Sequence, residues 1–136
     1  MERSEFRENL TKVFEVWKEG KATAADVANL NSAINFAMRN GIDLVLKIPK
    51  SVVDKTADTR PMLKQDAEFF SSGTDGDHLI FNIPSEINSH NIGSRALELK
   101  AIPEYRDWGP CVLLKSRSIG TFGTFLPSEI ASIEPK

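Results

Sequence analysis

Two stretches near the start of the chain carry apolar residues at helical spacing. The first repeats them every three or four positions, which places them on one face of a helix. That face consists of Phe6, Leu10, Val13, Phe14 and Trp17. We expect this helix to begin at Ser4, whose hydroxyl can cap the first turn, and to end at Gly20.

A second helical stripe follows after a short link. Its apolar face consists of Val27, Leu30, Ile34, Ala37 and Met38. Thr23 and Asp26 have the spacing of a capping box, and Asn40-Gly41 suits a left-handed helix end. Because the link is short, we expect the two helices to pack side by side as an antiparallel hairpin.

From residue 42 onward the apolar residues alternate with polar ones, which is the period of a strand with one buried face. We expect strands over 42–48, 78–83, 95–102, 111–116 and 119–126, and we expect 111–116 to be buried. Residues 50–60 carry mixed charge and are assigned to a loop. A short helix is expected from Pro61 to before Gly73, a turn at 74–77 and a helical turn from Pro127.

This order of elements predicts the fold class. Two helices followed mainly by strands predict an α+β fold, with the helix pair packed on a mainly antiparallel sheet of about five strands. The 136 residues fit one domain, so we expect a single α+β domain over 1–136.

Composition and charge restrict the partners. The net charge is −2, and no segment has the dense basic patch that double-stranded nucleic acid requires. No apolar run approaches the length of a membrane helix, and the charged N-terminus lacks the apolar core of a signal peptide. The single cysteine fits a reducing compartment. We therefore expect a cytoplasmic protein without membrane contact, and homo-oligomers remain open.

Three residues have side chains that could carry chemistry. Asp75 and His78 supply a carboxylate and an imidazole within a short segment, although the same composition is typical of a hairpin turn. Cys111 precedes an apolar run, which favours a small buried residue over a nucleophile. A small enzyme or ligand-binding domain that uses Asp75, His78 or Cys111 is therefore the alternative function. No cofactor motif is present, and we expect neither cofactor nor metal.

A strand with basic and aromatic residues offers a weaker alternative. Lys115 and Arg117 alternate near Phe122 and Phe125, as in readers of single-stranded nucleic acid. The odd spacing of the two phenylalanines predicts that they point to opposite faces of a regular strand, so at least one should lie in the core. His90 lies in a polar loop and is expected to be solvated.

The densest group of side chains typical of protein interfaces lies between Pro103 and Pro110. Tyr105, Arg106 and Trp108 cluster there, and these residue types are enriched among side chains that dominate binding energy. The alternative is that Tyr105 and Trp108 cover the end of the core. Because no catalytic constellation competes with this cluster, we expect a non-enzymatic protein that binds another protein, such as an adaptor, an inhibitor or an immunity-type protein.

Overall fold

Residues 2–21, 23–56, 60, 62–85, 96–116 and 120–136 are described in the computed structural model of the chain. This part contains four α-helices, which are α1 (Arg3–Val16), α2 (Ala24–Arg39), α3 (Lys50–Thr56) and α4 (Lys64–Phe70). It also contains seven strands, which are β1 (Leu44–Pro49), β2 (Gly73–Asp75), β3 (His78–Ile83), β4 (Leu97–Ile102), β5 (Cys111–Ser116), β6 (Gly120–Phe125) and β7 (Ser132–Pro135). A π-helix spans Trp17–Lys21, and a 3₁₀ turn spans Pro127–Glu129.

The strands form two antiparallel sheets. One sheet has the order β2-β3-β1-β7, and the other has the order β4-β5-β6. The predicted α+β class is confirmed, while the division of the strands into two sheets was not predicted. β5 is central in its sheet, and five of its six residues are buried, which confirms the prediction of a buried strand there. The expected turn between β5 and β6 lies at 117–119, outside the described residues.

The helix pair lies against both sheets. The ring of Phe6, near the start of α1, stacks on that of Phe36, near the end of α2, with centroids 5.2 Å apart. This contact requires the two helices to run antiparallel, as expected. α1 packs on β7 of the first sheet and α2 on β4 of the second, so the pair connects the two sheets.

Side chains at both ends of α2 fix its bounds. Thr23 and Asp26 form the predicted capping box, with the backbone N–H of Thr23 donating to the carboxylate at 2.8 Å. At the other end Gly41 adopts a φ of 69°, and the N–H of Ile42 donates to the carbonyl of Ala37 at 3.0 Å. This is the hydrogen bond of a left-handed helix end, and it confirms the predicted stop.

The core is one cluster of buried apolar side chains drawn from the helices and from both sheets. Trp17, Leu10 and Phe81 are among its largest fully buried members. The predicted stripe of α1 therefore faces the interior, and Trp17 closes it. The helix itself begins earlier than expected, because Arg3 is its first residue and Ser4 lies within the first turn rather than capping it.

Three elements differ from the expectations. β2 includes Thr74 and Asp75 of the expected turn at 74–77, because these residues pair with β3. Residues 50–56 form α3 instead of a loop, because Val53 is buried in the core and the Thr56 hydroxyl donates to the carbonyl of Val52 at 2.8 Å. β7 was not expected at all. It is a short strand whose position depends on pairing with β1, where Ile133 lies opposite Leu46. The expected start of a helix at Pro61 lies outside the described residues.

Candidate binding site around the aromatic link

Residues 103–110, which we call the aromatic link, connect β4 to β5 as a closed turn. The N–H of Trp108 donates to the carbonyl of Tyr105 at 3.1 Å, and the N–H of Tyr105 donates to the carbonyl of Gly109 at 3.2 Å. Two backbone hydrogen bonds therefore close the segment on itself. The link has a defined conformation that does not depend on a partner.

Arg106 occupies a strained position in that turn. Its φ is 55°, and it is the one residue other than glycine with positive φ in the described part of the chain. With the hydrogen bond from Trp108 to Tyr105, this places Arg106 at the first central position of a type II′ turn, where glycine is the usual residue. An arginine here costs backbone energy that a glycine would not. Strained residues of this kind are concentrated at functional sites.

The predicted interface residues form one stack with a fourth side chain. The guanidinium carbon of Arg106 lies 5.2 Å from the ring centre of Tyr105, and that ring lies 5.5 Å from the ring of Trp108. The guanidinium carbon of Arg60 lies 4.7 Å from the Trp108 ring centre. In the order Arg106, Tyr105, Trp108 and Arg60, a cation at each end therefore flanks two neighbouring rings, and we call this arrangement the cation–aromatic stack. Each cation–ring contact at this distance is attractive.

The inner end of the stack is fixed by an ion pair. Arg60 pairs with Glu129 of the 3₁₀ turn, and their side chains are 13% and 16% exposed. Arg60 also donates to the carbonyl of Thr124 at 3.3 Å, while Glu129 accepts from the N–H of Leu126 at 2.8 Å. A poorly solvated ion pair with additional backbone hydrogen bonds is held in one geometry. Arg60 is thus a rigid support for the Trp108 ring.

Exposure increases along the stack toward its outer end. Arg106 is exposed, whereas Tyr105 and Trp108 are half-buried. Trp108 is bound to the body of the protein through Arg60, whereas Arg106 faces solvent. The candidate surface consists of Arg106 and the outer part of Tyr105, positioned by Trp108.

A cleft lies beside the inner end of the stack. It has a volume of about 210 Å³ and lies where the π-helix, the 3₁₀ turn and the aromatic link meet. Its wall includes Trp17, Lys18, Trp108, Pro110 and Pro127. Both tryptophans of the chain therefore line one cleft, although they are far apart in sequence.

Cys111 is a buried residue of β5, as expected from its apolar neighbours. Its thiol donates to the carbonyl of Gly109 at 3.3 Å. Burial raises the pKa of the Cys111 thiol above its ordinary value, the nearby Arg60 partly offsets this, and Glu129 adds to it. A thiol with a raised pKa is a poor nucleophile at neutral pH. The hydrogen bond to Gly109 connects the start of β5 to the end of the link.

Asp75 and His78 lie together in the hairpin of β2 and β3, where they are opposite each other. Asp75 forms an exposed ion pair with Lys47 at 3.0 Å, and hydrogen bonding to that ammonium group lowers the pKa of the carboxyl. Cys111 belongs to the other sheet. In the ranges that the structure describes, no three histidine, cysteine, aspartate or glutamate side chains are grouped so that they could hold a metal ion.

The basic and aromatic strand has no accessible rings. Phe122 and Phe125 of β6 are both buried, so the expectation that at least one lies in the core is confirmed. They are therefore not available for base stacking. Arg117 and His90 lie outside the described residues.

Sequence patterns singled out Tyr105, Arg106 and Trp108 of the stack but neither Arg60 nor its ion-pair partner Glu129. Arg60 was assigned to a loop, and no pattern near residue 60 indicates that it contacts position 108. Glu129 has a weak local signal, because an acidic residue three positions after a helix start is typical of a capped turn. Lys18 lies off the apolar stripe of the first helix, and its sequence neighbours do not indicate a contact with the aromatic link. Lys18 comes close to the aromatic link only because the π-helix, the 3₁₀ turn and the link pack together in the tertiary structure.

Comparison with models of protein families, with curated proteins and with solved structures gives no match to this chain. Among the helices that the structure describes, none has the length and apolar character needed to cross a lipid bilayer. The candidate site is therefore interpreted from its own residues.

Proposed function

We propose that this chain is a non-enzymatic binding protein whose aromatic link contacts a protein partner through Arg106 and Tyr105. The observation that carries the proposal is the cation–aromatic stack, which presents an exposed guanidinium on a half-buried ring. Arginine and tyrosine are the side chains that most often dominate protein interfaces. Because the turn is closed before binding, little conformational entropy is lost when a partner docks.

The strain at Arg106 supports the same proposal. Glycine would suit its positive φ, so the guanidinium has a use that offsets the backbone cost. Stacking on Tyr105 holds the guanidinium in place and leaves its N–H donors free to contact carboxylates or carbonyl oxygens of a partner. We propose a cytoplasmic partner, in line with the low cysteine content.

Capture experiments with the full chain test this proposal. Wild-type protein and a Tyr105→Ala, Arg106→Ala variant are immobilised in parallel, and proteins captured from the source organism are compared by quantitative mass spectrometry. We expect the double variant to keep its fold by circular dichroism and to lose at least one protein that the wild type captures. Truncation at a hot spot typically costs about 2 kcal/mol or more of binding energy, which corresponds to roughly thirtyfold weaker binding.

A matched control removes an exposed ring and an exposed guanidinium elsewhere. Phe69 is 54% exposed on α4 and Arg39 is exposed at the end of α2, so Phe69→Ala, Arg39→Ala serves this purpose. The control should capture the same proteins as the wild type. If the link variant also captures all of them, the link is not the binding surface. Sedimentation of the wild type shows whether the captured partner is a second copy of this chain.

A further inference from the structure

β2 is an exposed edge strand of the four-stranded sheet. All three of its residues are exposed, and β3 is the one element that packs extensively on it in the described part of the chain. An edge strand presents unpaired backbone N–H and C=O groups, to which a further strand can pair. One side of the β2 backbone is therefore open.

The turn after β2 shows which of its backbone groups are open. Gly76 and Asp77 form a two-residue hairpin loop, and Gly76 has the positive φ of 58° that the first central position of a type II′ turn requires. In such a hairpin the flanking residues, Asp75 and His78, bond to each other, and the next pair along the strands does not. The N–H and C=O of Thr74 therefore point away from β3, toward the open side.

The other three sheet edges have side chains bonded to their backbone. On β4, the amide group of Asn31 bonds to both the N–H and the C=O of Ala101, at 2.8 and 2.7 Å. On β6 and β7, Arg60 and Arg7 each donate to a strand carbonyl, at 3.3 and 3.4 Å. Proteins commonly block their sheet edges against pairing with other chains. Among the described residues no such contact blocks β2, so β2 is the accessible edge.

A cleft lies beside β2, between α3, α4 and the hairpin of β2 and β3, and we call it the edge cleft. Val53 and Leu79 line it although they are only 2% and 5% exposed, so its base is apolar. Thr74 also lines it, which places the cleft on the face of the hairpin that Thr74 shares with Leu79. Its volume of about 340 Å³ gives room for a large apolar side chain, since pockets that hold whole small ligands begin at about 300 Å³.

The charges around the edge cleft balance. Its wall includes two lysines, Lys50 and Lys64, and two acidic residues, Asp54 and Glu68. Lys64 pairs with Asp54 at 3.1 Å, and this ion pair connects α4 to α3. A wall of balanced charge complements a neutral occupant better than an anion or a cation. An uncharged polypeptide segment with an apolar side chain fits both this balance and the apolar base.

From these observations we infer that β2 and the edge cleft bind an extended, uncharged segment of another protein. The segment adds a strand to the sheet by pairing its backbone with the N–H and C=O of Thr74. Every second side chain of an added strand lies on the face of the edge cleft, which holds an apolar one. A second copy of this chain is a poorer occupant, because β2 offers only three residues and its side chain on that face is a short threonine. The site is independent of the aromatic link, since no residue of the link lines the edge cleft.

Selection from a random peptide library tests the inference, because the selection itself identifies the sequences that bind. Linear peptides of about nine residues, longer than the usual strand of about five or six, are displayed on phage and selected on the immobilised full chain. We expect enriched peptides with few charges and an apolar residue at one fixed position. The same sequences are then made as soluble peptides with capped ends, and their affinities are measured by isothermal titration calorimetry.

A scan of N-methyl groups along an enriched peptide distinguishes strand addition from other binding modes. Each N-methyl group removes one backbone N–H donor, and in an added strand only every second N–H faces β2. N-Methylation should therefore weaken binding about tenfold at alternate positions and hardly at the positions between them. A scan without this alternation would overturn the inference. The scan leaves the protein itself unchanged.

Two substitutions at one position test the open edge. Thr74→Pro removes the open N–H, and proline is tolerated on edge strands where the N–H faces solvent, so the fold should persist by circular dichroism. The peptides should bind Thr74→Pro at least about tenfold more weakly than the wild type. Thr74→Val keeps the N–H and the branched shape and should bind them as the wild type does. If Thr74→Pro does not fold, the N-methyl scan still decides the question.

A second pair of substitutions tests the edge cleft. Ser71 lines the cleft, so Ser71→Phe places a ring in the space that the apolar side chain of the peptide would occupy. Binding should weaken about tenfold, in line with the loss of one buried apolar contact. Ser4→Phe, at an exposed position near the start of α1, is the matched control and should not change binding.

Several results would overturn the inference. These are the absence of enriched peptides, wild-type affinity of every enriched peptide for Thr74→Pro, or equal effects of Ser71→Phe and Ser4→Phe. A wild-type dimer in sedimentation that Thr74→Pro dissociates would identify a second copy as the occupant, which also contradicts the inference. The Tyr105→Ala, Arg106→Ala variant should bind the peptides as the wild type does, and loss of binding there would place the peptides on the link instead. Failure of the capture experiment alone leaves this site unaffected.

Discussion

Each of the two tryptophans belongs to a region that is stabilised in a different way. Trp17 closes the apolar stripe of α1 and is fully buried, with many apolar neighbours in one continuous core. Trp108 lies in the aromatic link and is half-buried, with the Tyr105 ring 5.5 Å from its ring and the Arg60 guanidinium carbon 4.7 Å from its ring centre. The helix is held by burial of a whole face, whereas the link is held by a few directed contacts.

This difference shows how one chain can provide both stability and a binding surface. Apolar burial is non-directional, so the stabilisation is distributed over many small contacts. A stack of cations and rings has defined geometry, and its outer member can remain in water. The link therefore keeps exposed arginine and tyrosine side chains in place without burying them. The four predictions below test this contrast.

The largest effect is expected at Trp17. Trp17→Ala removes a fully buried ring and should lower the free energy of unfolding by about 3–5 kcal/mol, measured by denaturant titration. Val16, its neighbour on the exposed side, is 49% exposed, and Val16→Ala should change stability by less than about 0.5 kcal/mol. A Trp17→Ala effect below about 1 kcal/mol would mean that this ring is not part of a packed core.

The second largest effect concerns the support of the link. Glu129→Ala removes the acceptor of the Leu126 N–H and leaves Arg60 poorly solvated and unpaired. We expect a loss of about 2–3 kcal/mol by denaturant unfolding. Glu129→Gln keeps an acceptor oxygen and should lose only about 1 kcal/mol. Equal effects of the two substitutions would show that the charge of Glu129 contributes nothing to stability. The link would then differ less from α1, which is stabilised by apolar burial.

A matched pair of substitutions isolates the strain at Arg106. Both Arg106→Gly and Arg106→Ala remove the guanidinium, but only glycine adopts a φ near 55° without strain. The glycine variant should be more stable than the alanine variant by about 1 kcal/mol in thermal or denaturant unfolding. Because both variants lack the guanidinium, both should bind the protein partner with equally reduced affinity. If the Arg106→Ala variant is as stable as the Arg106→Gly variant, the turn is not strained at this residue.

The smallest effect is expected at the exposed ion pair of Lys47 and Asp75, which serves as a reference for polar contacts outside the link. The hydrogen bond and charge of Lys47 lower the pKa of Asp75 in the folded state. This contribution to stability is present above the pKa of the unfolded chain and is lost as the pH falls through the folded pKa. Lys47→Met should therefore raise the Asp75 pKa toward its ordinary value.

A carbon-detected titration of the Asp75 carboxyl measures that change directly. Because both side chains are exposed to water, the stability of the variant at neutral pH should hardly change. An unchanged Asp75 pKa in Lys47→Met would show that the pair does not form in solution. A large loss of stability would contradict the view that directed polar contacts matter mainly where water is excluded, as at Arg60 and Glu129.

How well a structural feature can be predicted from the sequence depends on how far apart along the chain its interacting residues lie. The stripe that ends at Trp17, the capping box of Thr23 and Asp26, and the stop at Gly41 all depend on residues within a few positions of each other. These features were predicted and are confirmed. α3 was missed because its one fully buried valine does not make a periodic pattern. β7 was missed because four residues are too few to show alternation.

The sequence by itself determined three of the four α-helices of the described residues, most of the strands, the burial of Cys111 and the composition of the aromatic link. Only the tertiary structure decided that Arg60 and Glu129 support Trp108, and that Trp17 and Trp108 share a cleft. Periodicity and capping are local, so they are visible in a short window of residues. Contacts among residues near 17, 60, 108 and 129 arise only when two sheets and a helix pair pack together. No local pattern encodes that arrangement.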